Sequence, residues 1–81
     1  MIPDWVVSSG WCVNRDGNEE GRNTNQEGYT KLSCFAECDS NSDLTGCAFY
    51  KLDNICITYT GRIVAGSGWD GVHECYHPSK K

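Results

Sequence analysis

Six cysteines in a chain of 81 residues constrain this fold more than any other feature of the sequence. A domain this small buries too little apolar surface for its core alone to stabilise it, and small domains commonly compensate with disulfides. The count is even, and the positions are Cys12, Cys34, Cys38, Cys47, Cys56 and Cys75. We therefore expect three disulfides that use every thiol.

Metal binding is the alternative use of these side chains. Zinc modules bring their ligands in close pairs such as C-x2-C, whereas the closest pair here is Cys34-x3-Cys38. The two histidines, His73 and His77, lie in one short segment with no cysteine pair elsewhere to complete a site. The loop from Asp16 to Glu20 offers oxygen ligands without the spacing of an EF-hand. The sequence predicts no metal site and no cofactor.

The cysteine content also predicts where the protein works. Disulfides persist in oxidising compartments, so we expect a secreted, extracellular protein. No signal peptide is visible, because Met1 to Val7 has neither a basic start nor a long apolar stretch. No segment has the apolar length of a membrane span, so we predict no membrane insertion. The net charge of -4 disfavours nucleic acid as a partner, because phosphates repel an acidic protein. The oligomeric state stays open.

One helix stands out along the chain. The segment from Thr30 to Asp39 predicts a helix, and Thr30 or Ser33 can cap its N-terminus. Cys34 and Cys38 would then lie one turn apart on the same face.

A β-hairpin is predicted next, because apolar residues 47–52 and 55–60 flank a two-residue link, Asp53-Asn54. A two-residue turn predicts three cross-strand pairs, Leu52–Ile55, Tyr50–Ile57 and Ala48–Tyr59. The opposite face would carry Cys47, Phe49 and Cys56. Each helix cysteine can then form a disulfide with one of the two hairpin cysteines, and both of the possible pairings stay open.

The remaining segments complete a single domain over residues 1–81 with a core at about 11–76. Residues 5–7 read as a strand or an anchoring tail, and residues 11–13, 63–65 and 72–76 as short strands. Residues 14–28 are polar and read as a long loop that is either mobile or functional. Residues 78–81 read as a frayed tail.

The cysteine spacing resembles that of the PAN/apple family. The resemblance rests on Cys34-x3-Cys38 in a helix, on Gly-Cys-Ala-Phe-Tyr at 46–50 and on Ile-Cys-Ile at 55–57. It covers roughly Trp11 to Tyr76 and implies an α+β, disulfide-rich domain with one short helix packed on a curved antiparallel sheet.

The resemblance also implies a pairing and a function. The disulfides it implies are Cys12–Cys75, Cys34–Cys56 and Cys38–Cys47. Members of the family bind extracellular proteins and carbohydrates, commonly as modules of larger proteins. The expected class is therefore an adhesion or recognition module, with protein binding or lectin-like carbohydrate binding as its activity.

Catalysis is not predicted. All six cysteines are assigned to disulfides, and the serines lie in polar, turn-like segments without an adjacent base. The acidic pairs lack the apolar surroundings that would raise a pKa. The segment Gly66-Ser67-Gly68 is too short for a nucleotide loop. We therefore expect a protein that is not an enzyme.

Trp69 is the best candidate for a ligand-binding residue. It lies between glycines in the segment Gly66-Ser67-Gly68-Trp69-Asp70-Gly71. An exposed indole beside a carboxylate suits a sugar ring or a protein hot spot. The alternative is that Trp69 folds back onto the sheet as a lid. The predicted binding surface combines this turn with the Tyr59/Ile57 face of the hairpin, and its ligand-binding residues are Trp69, Asp70, Tyr59 and Arg62.

The partner expected for this surface is an extracellular protein or a glycan. A small secreted effector, meaning a toxin, a protease inhibitor or a signalling peptide, is the alternative, and a structural matrix component is a third possibility. An inhibitor would present a rigid, bridge-flanked loop, and neither Lys51 nor Arg62 lies in one.

Overall fold

The computed structural model describes residues 5–23 and 25–79, and within them one helix packs on an antiparallel sheet. The elements in chain order are β1 (Trp5–Ser9), β2 (Cys12–Val13), β3 (Gln26–Glu27), α1 (Lys31–Ser40), β4 (Gly46–Tyr50), β5 (Ile55–Tyr59), β6 (Ala65–Gly66) and β7 (His73–Pro78). Five strands form one sheet in the order β1-β7-β4-β5-β3, and β2 pairs with β6. The molecule is a small α+β, disulfide-rich domain.

The helix α1 begins where the sequence predicted it. Thr30 is the N-cap and accepts a hydrogen bond from the N–H of Ser33, while the Ser33 hydroxyl accepts one from the N–H of Thr30. This reciprocal capping satisfies two N–H groups that the first turn leaves unpaired. Cys34 and Cys38 are the buried side chains of the helix, so the predicted cysteine face is confirmed. The helix is too short and too polar to cross a membrane, and it is the one α-helix of residues 5–23 and 25–79.

The hairpin differs from its prediction in register. Tyr50 pairs with Ile55, and Ala48 pairs with Ile57, so the turn contains four residues, 51–54, instead of two. A two-residue type I′ turn requires positive φ at both central residues. Asn54 has a φ of +54°, and Asp53 is not among the residues with positive φ. Lys51 instead donates its N–H to Val72 O at 2.8 Å. The shift is two residues, so each side chain keeps its predicted face.

Two clusters of buried side chains lie on the two faces of the sheet. The helix side contains Cys34, Cys38, Cys47, Phe49 and Cys56. The other side contains Cys12, Ala48, Ile57, Tyr59, Ile63 and Cys75. The disulfides Cys34–Cys56 and Cys38–Cys47 join the helix to the hairpin, and Cys12–Cys75 crosses the second cluster. These are the three pairs that the resemblance implied.

The two ends of the described chain pair with each other. Strand β1 lies antiparallel to β7, with Trp5 opposite Pro78 and Ser9 opposite Glu74. Trp5 and Phe35 both stack on Tyr76, at ring-centroid distances of 4.8 and 4.7 Å. Residues 5–7 are therefore a strand of the sheet, and the last strand continues to Pro78. Ser79 of the predicted tail follows this strand in irregular structure, and Lys80 and Lys81 lie outside the described residues.

Candidate functional site

The glycine-rich turn between β6 and β7 is fastened to the connection between β1 and β2. Ser67 donates its N–H to Trp11 O at 2.7 Å, and its hydroxyl accepts the Trp11 N–H at 3.1 Å. Gly68 donates its N–H to Ser9 O at 3.0 Å. The approach is so close that a Cβ on Gly66 would overlap the Ser9 carbonyl. These contacts give the turn a defined position on the domain.

Asp70 holds the second half of this turn. Its Oδ1 accepts the N–H groups of Val72 and His73 at 2.9 and 2.8 Å, and its Oδ2 lies 2.7 Å from His73 Nδ1. The two backbone donors are the main reason that the pKa of Asp70 falls to about 2. Both carboxylate oxygens therefore bond within the turn, so Asp70 positions Trp69 and is not itself the best candidate for a ligand contact.

Trp69 is the most exposed large apolar side chain of the described residues, at 82%. Its ring lies close to Gly71, where an added Cβ would be 3.4 Å from Trp69 Cζ2. The alternative in which Trp69 covers the core as a lid does not occur. Because the turn is tied to the β1–β2 connection and to Asp70, the indole is presented to solvent from a backbone that hydrogen bonds hold in place.

A shallow cavity of about 270 Å³ lies beside this indole. Its lining includes Trp69, Val7, Ser9, Lys51 and Glu74. Lys51 Nζ lies 2.8 Å from Glu74 Oε2, and this hydrogen bond is the main cause that lowers the pKa of Glu74. The cavity thus combines an apolar edge with a charged pair and a hydroxyl.

The sequence pattern did not indicate that Val7, Lys51 and Glu74 line the site. They meet because β1 and β4 flank β7 in the sheet, with Ser9 and Phe49 both opposite Glu74. The one sequence signal that could have indicated these residues was the presence of apolar and charged side chains on predicted strands. Their meeting depends on strand order and register, which the residue pattern alone does not specify.

Tyr59 and Ile57 were expected at the binding surface, and the structure corrects this expectation. The Tyr59 side chain is fully buried, and Ile57 is buried beside it with Ile63. The phenol donates to Glu19 Oε2 at 2.7 Å, and burial is the main cause that raises its pKa. The segment after β5 and the loop of residues 14–23 cover this face of the hairpin, so Tyr59 is a core residue that anchors the loop.

Arg62 is exposed but lies apart from the Trp69 cavity. It lines a different cavity of about 470 Å³ together with Arg15 and Glu20. Its backbone N–H donates to Glu20 Oε2 at 3.2 Å. Of the four predicted ligand residues, the structure therefore brings together Trp69 and Asp70, buries Tyr59 and places Arg62 elsewhere.

The Asp70 network predicts a pH dependence of stability. The pKa of Asp70 is depressed in the folded protein, to about 2 from an ordinary value near 3.8. Its stabilising contribution is therefore complete above pH ~4 and is lost as the pH falls through ~2. We expect the urea midpoint of the wild type to fall in this range more steeply than that of Asp70→Asn. Equal slopes of the two midpoints against pH would contradict the assignment.

Comparison of the chain with protein-family models, with curated proteins and with solved structures found no match. The class of the molecule therefore follows from its fold and chemistry, a small α+β domain with three disulfides. Within the described residues no cysteine is free, and no group of three or more His, Cys, Asp or Glu side chains is placed to hold a metal ion.

Proposed function

We propose that this chain is a secreted recognition module of the PAN/apple type, which binds an extracellular protein or carbohydrate through the Trp69 turn. The observation that carries the proposal is the 82% exposed indole on a turn held by backbone hydrogen bonds. Contact between this exposed indole and a partner would remove apolar surface area from water, which favours binding. The resemblance in cysteine spacing supports the family that we propose, and the geometry of the Trp69 turn supports the binding site.

Two features support a binding role for Trp69. Tryptophan is enriched among the few interface residues that carry most of the binding free energy. The hydrogen bonds that the Ser67 and Gly68 N–H groups donate, and those that the Asp70 carboxylate accepts, order the backbone before any partner arrives. Ordering before binding lowers the entropy that association costs. An exposed indole without a partner would instead be a liability for solubility.

The three disulfides support an extracellular location for this function. They are compatible with an oxidising compartment, where such bonds persist. Since each of the six sulfurs is bonded to another, the chain has no thiol for redox or nucleophilic chemistry. Recognition by surface contact is consistent with both facts.

The test is a binding screen with wild type, Trp69→Ala and Leu52→Ala, on a glycan array and a panel of extracellular-matrix proteins, with and without calcium. Leu52 is a matched control because it is also exposed, at 67%, but lies in the hairpin turn. We expect Trp69→Ala to weaken the best ligand about 30-fold or more, and Leu52→Ala to leave it unchanged. Equal binding by wild type and Trp69→Ala, or no ligand in either screen, would overturn the proposal.

A further inference from the structure

The Trp69 cavity adjoins a second cavity that carries another exposed tryptophan. This second cavity, which we call the Trp11 cavity, has a volume of about 250 Å³, and its lining consists of Trp11, Glu19, Arg22, Ile57 and His73. His73 also lines the Trp69 cavity, so the two cavities are neighbours on the surface. The Trp11 side chain is 38% exposed. Each cavity therefore offers an indole to a ligand, and His73 is common to both.

Hydrogen bonds hold the two tryptophans in a defined relation to each other. Ser67 bonds to the Trp11 backbone through its N–H and its hydroxyl, at 2.7 and 3.1 Å, and Trp69 follows Ser67 by two residues. The Trp11 ring packs edge-on against the His73 ring, with their centroids 5.5 Å apart. His73 is in turn fixed through Nδ1, which lies 2.7 Å from Asp70 Oδ2. The surface that joins the two indoles is thus ordered before a ligand binds.

The lysine, arginine and glutamate side chains that line the two cavities are paired within each cavity. Lys51 lies 2.8 Å from Glu74 in the Trp69 cavity, and Arg22 lies 3.2 Å from Glu19 in the Trp11 cavity. Each pair consists of one cation and one anion, so its charges cancel. Lys31 lines neither cavity and lies 3.3 Å from the other carboxylate oxygen of Glu74. The lining is therefore polar without an excess of positive charge, and it offers no selective site for an anion.

Paired charges of this kind suit the hydroxyl groups of a sugar. The carboxylates accept hydrogen bonds, the ammonium and guanidinium groups donate them, and a sugar hydroxyl can do both. Ser9 adds a hydroxyl to the lining of the Trp69 cavity. His73 Nε2 has no hydrogen-bond partner within residues 5–23 and 25–79, and no buried side-chain nitrogen or oxygen there is unpaired, so Nε2 is accessible at the surface. Both cavities thus combine an indole with groups that can bond to ring hydroxyls.

We infer that the ligand of the Trp69 turn is a neutral, linear oligosaccharide that places one ring on Trp69 and another on Trp11. The inference rests on the proposed function and specifies its ligand. A pyranose ring whose substituents are equatorial, as in β-1,4-linked glucose or N-acetylglucosamine, presents its axial C–H bonds as an apolar face. Such a face can pack on the apolar body of an indole. Two indoles in adjoining cavities favour a chain of rings over a single terminal sugar.

The dependence of affinity on chain length tests this inference. The probes are cello-oligosaccharides and chito-oligosaccharides, from the disaccharide to the hexasaccharide, titrated by calorimetry. We expect wild-type affinity for one of the two series to rise about tenfold or more with length and then to level off, because a chain that fills one cavity delivers its next ring to the other. Added NaCl should leave this affinity unchanged, since the ligand is neutral.

Substitution of Trp11 should abolish this dependence on length. We expect Trp11→Ala to weaken hexasaccharide binding about tenfold, so that long and short chains bind alike. Trp11→Phe keeps an aromatic face and should retain most of the length dependence, and it serves as the test variant if the urea midpoint of Trp11→Ala shows a loss of folding. Leu32→Ala is the matched control, because Leu32 is 81% exposed on α1 and lines neither cavity. It should bind every probe as the wild type does.

The possible outcomes separate this inference from the proposed function. Affinity that does not rise with chain length, or a rise that persists in Trp11→Ala, would overturn the inference. So would tighter binding of a hyaluronan hexasaccharide, an acidic chain, than of either neutral hexasaccharide. An extracellular protein that binds through Trp69, with no binding of either neutral series, would overturn the inference and leave the proposed function standing. Oligosaccharide binding that requires Trp11 but is unchanged in Trp69→Ala would overturn the proposed function.

Discussion

Removal of the Cys12–Cys75 disulfide by the double substitution Cys12→Ala, Cys75→Ala is expected to lower the free energy of unfolding by about 4 kcal/mol. This bond joins residues 63 positions apart, the longest separation of the three disulfides. Cross-linking distant residues restricts the unfolded chain more than cross-linking near ones. Both sulfurs are also fully buried among Ala48 and Ile57, so their loss leaves a gap in the cluster.

The matched control for this substitution is Cys38→Ala, Cys47→Ala. That disulfide closes a separation of 9 residues, and its removal should cost about 2.5 kcal/mol on the same chain-entropy argument. Urea unfolding of both variants and of the wild type gives the two differences directly. If the Cys38–Cys47 variant were the less stable of the two, native-state packing and not restriction of the unfolded chain would dominate these disulfides.

Substitution of Tyr59 is the second large expected effect. Tyr59→Ala should lower the free energy of unfolding by about 3–5 kcal/mol, the range for truncating a buried aromatic ring. Tyr59→Phe should cost about 1.5 kcal/mol, because it removes a buried hydroxyl that donates to the Glu19 carboxylate. The comparison separates the contribution of the ring from that of the hydroxyl.

The same pair of variants tests the revised position of Tyr59. Because the phenol is fully buried, Tyr59→Phe should leave affinity for the Trp69 ligand unchanged while the urea midpoint falls. A loss of ligand affinity at unchanged stability would show that Tyr59 contacts the ligand after all. Trp69→Ala should behave in the opposite way, with lower affinity and little change in stability, since its side chain is mostly in solvent.

The sequence predicted the helix and the side-chain faces of the strands well, because both depend on interactions between residues that are close together in the chain. The helix followed from a capping residue, Thr30, and from cysteines one turn apart. The faces of β4 and β5 followed from alternation, because a strand places every second side chain on one side. The register did not follow, because Asp53-Asn54 permits more than one turn length. The N–H of Lys51 bonds to Val72 O, a contact with a residue 21 positions away in sequence that lies just before β7.

Of the residues in the candidate site, the sequence predicted the exposed side chain of Trp69, and it did so only as one of two alternatives. Flanking glycines lack side chains that could cover the indole, which favoured exposure. Whether the turn folds back is set by hydrogen bonds to Ser9 and Trp11, which are distant in sequence. Tyr59 was misplaced for the converse reason, because the residues that bury it come from segments on both sides of the hairpin.

By itself the sequence determined that this protein is a small disulfide-stabilised domain, because six cysteines and too small a core leave few other stable solutions. It also determined the helix and the side-chain faces of the hairpin, which depend on interactions between near neighbours. The tertiary structure decided which aromatic side chains are exposed to solvent and which charged side chains pair with each other. Burial and charge pairing depend on segments far apart in the chain, and only their packing brings Lys31, Lys51 and Glu74 together.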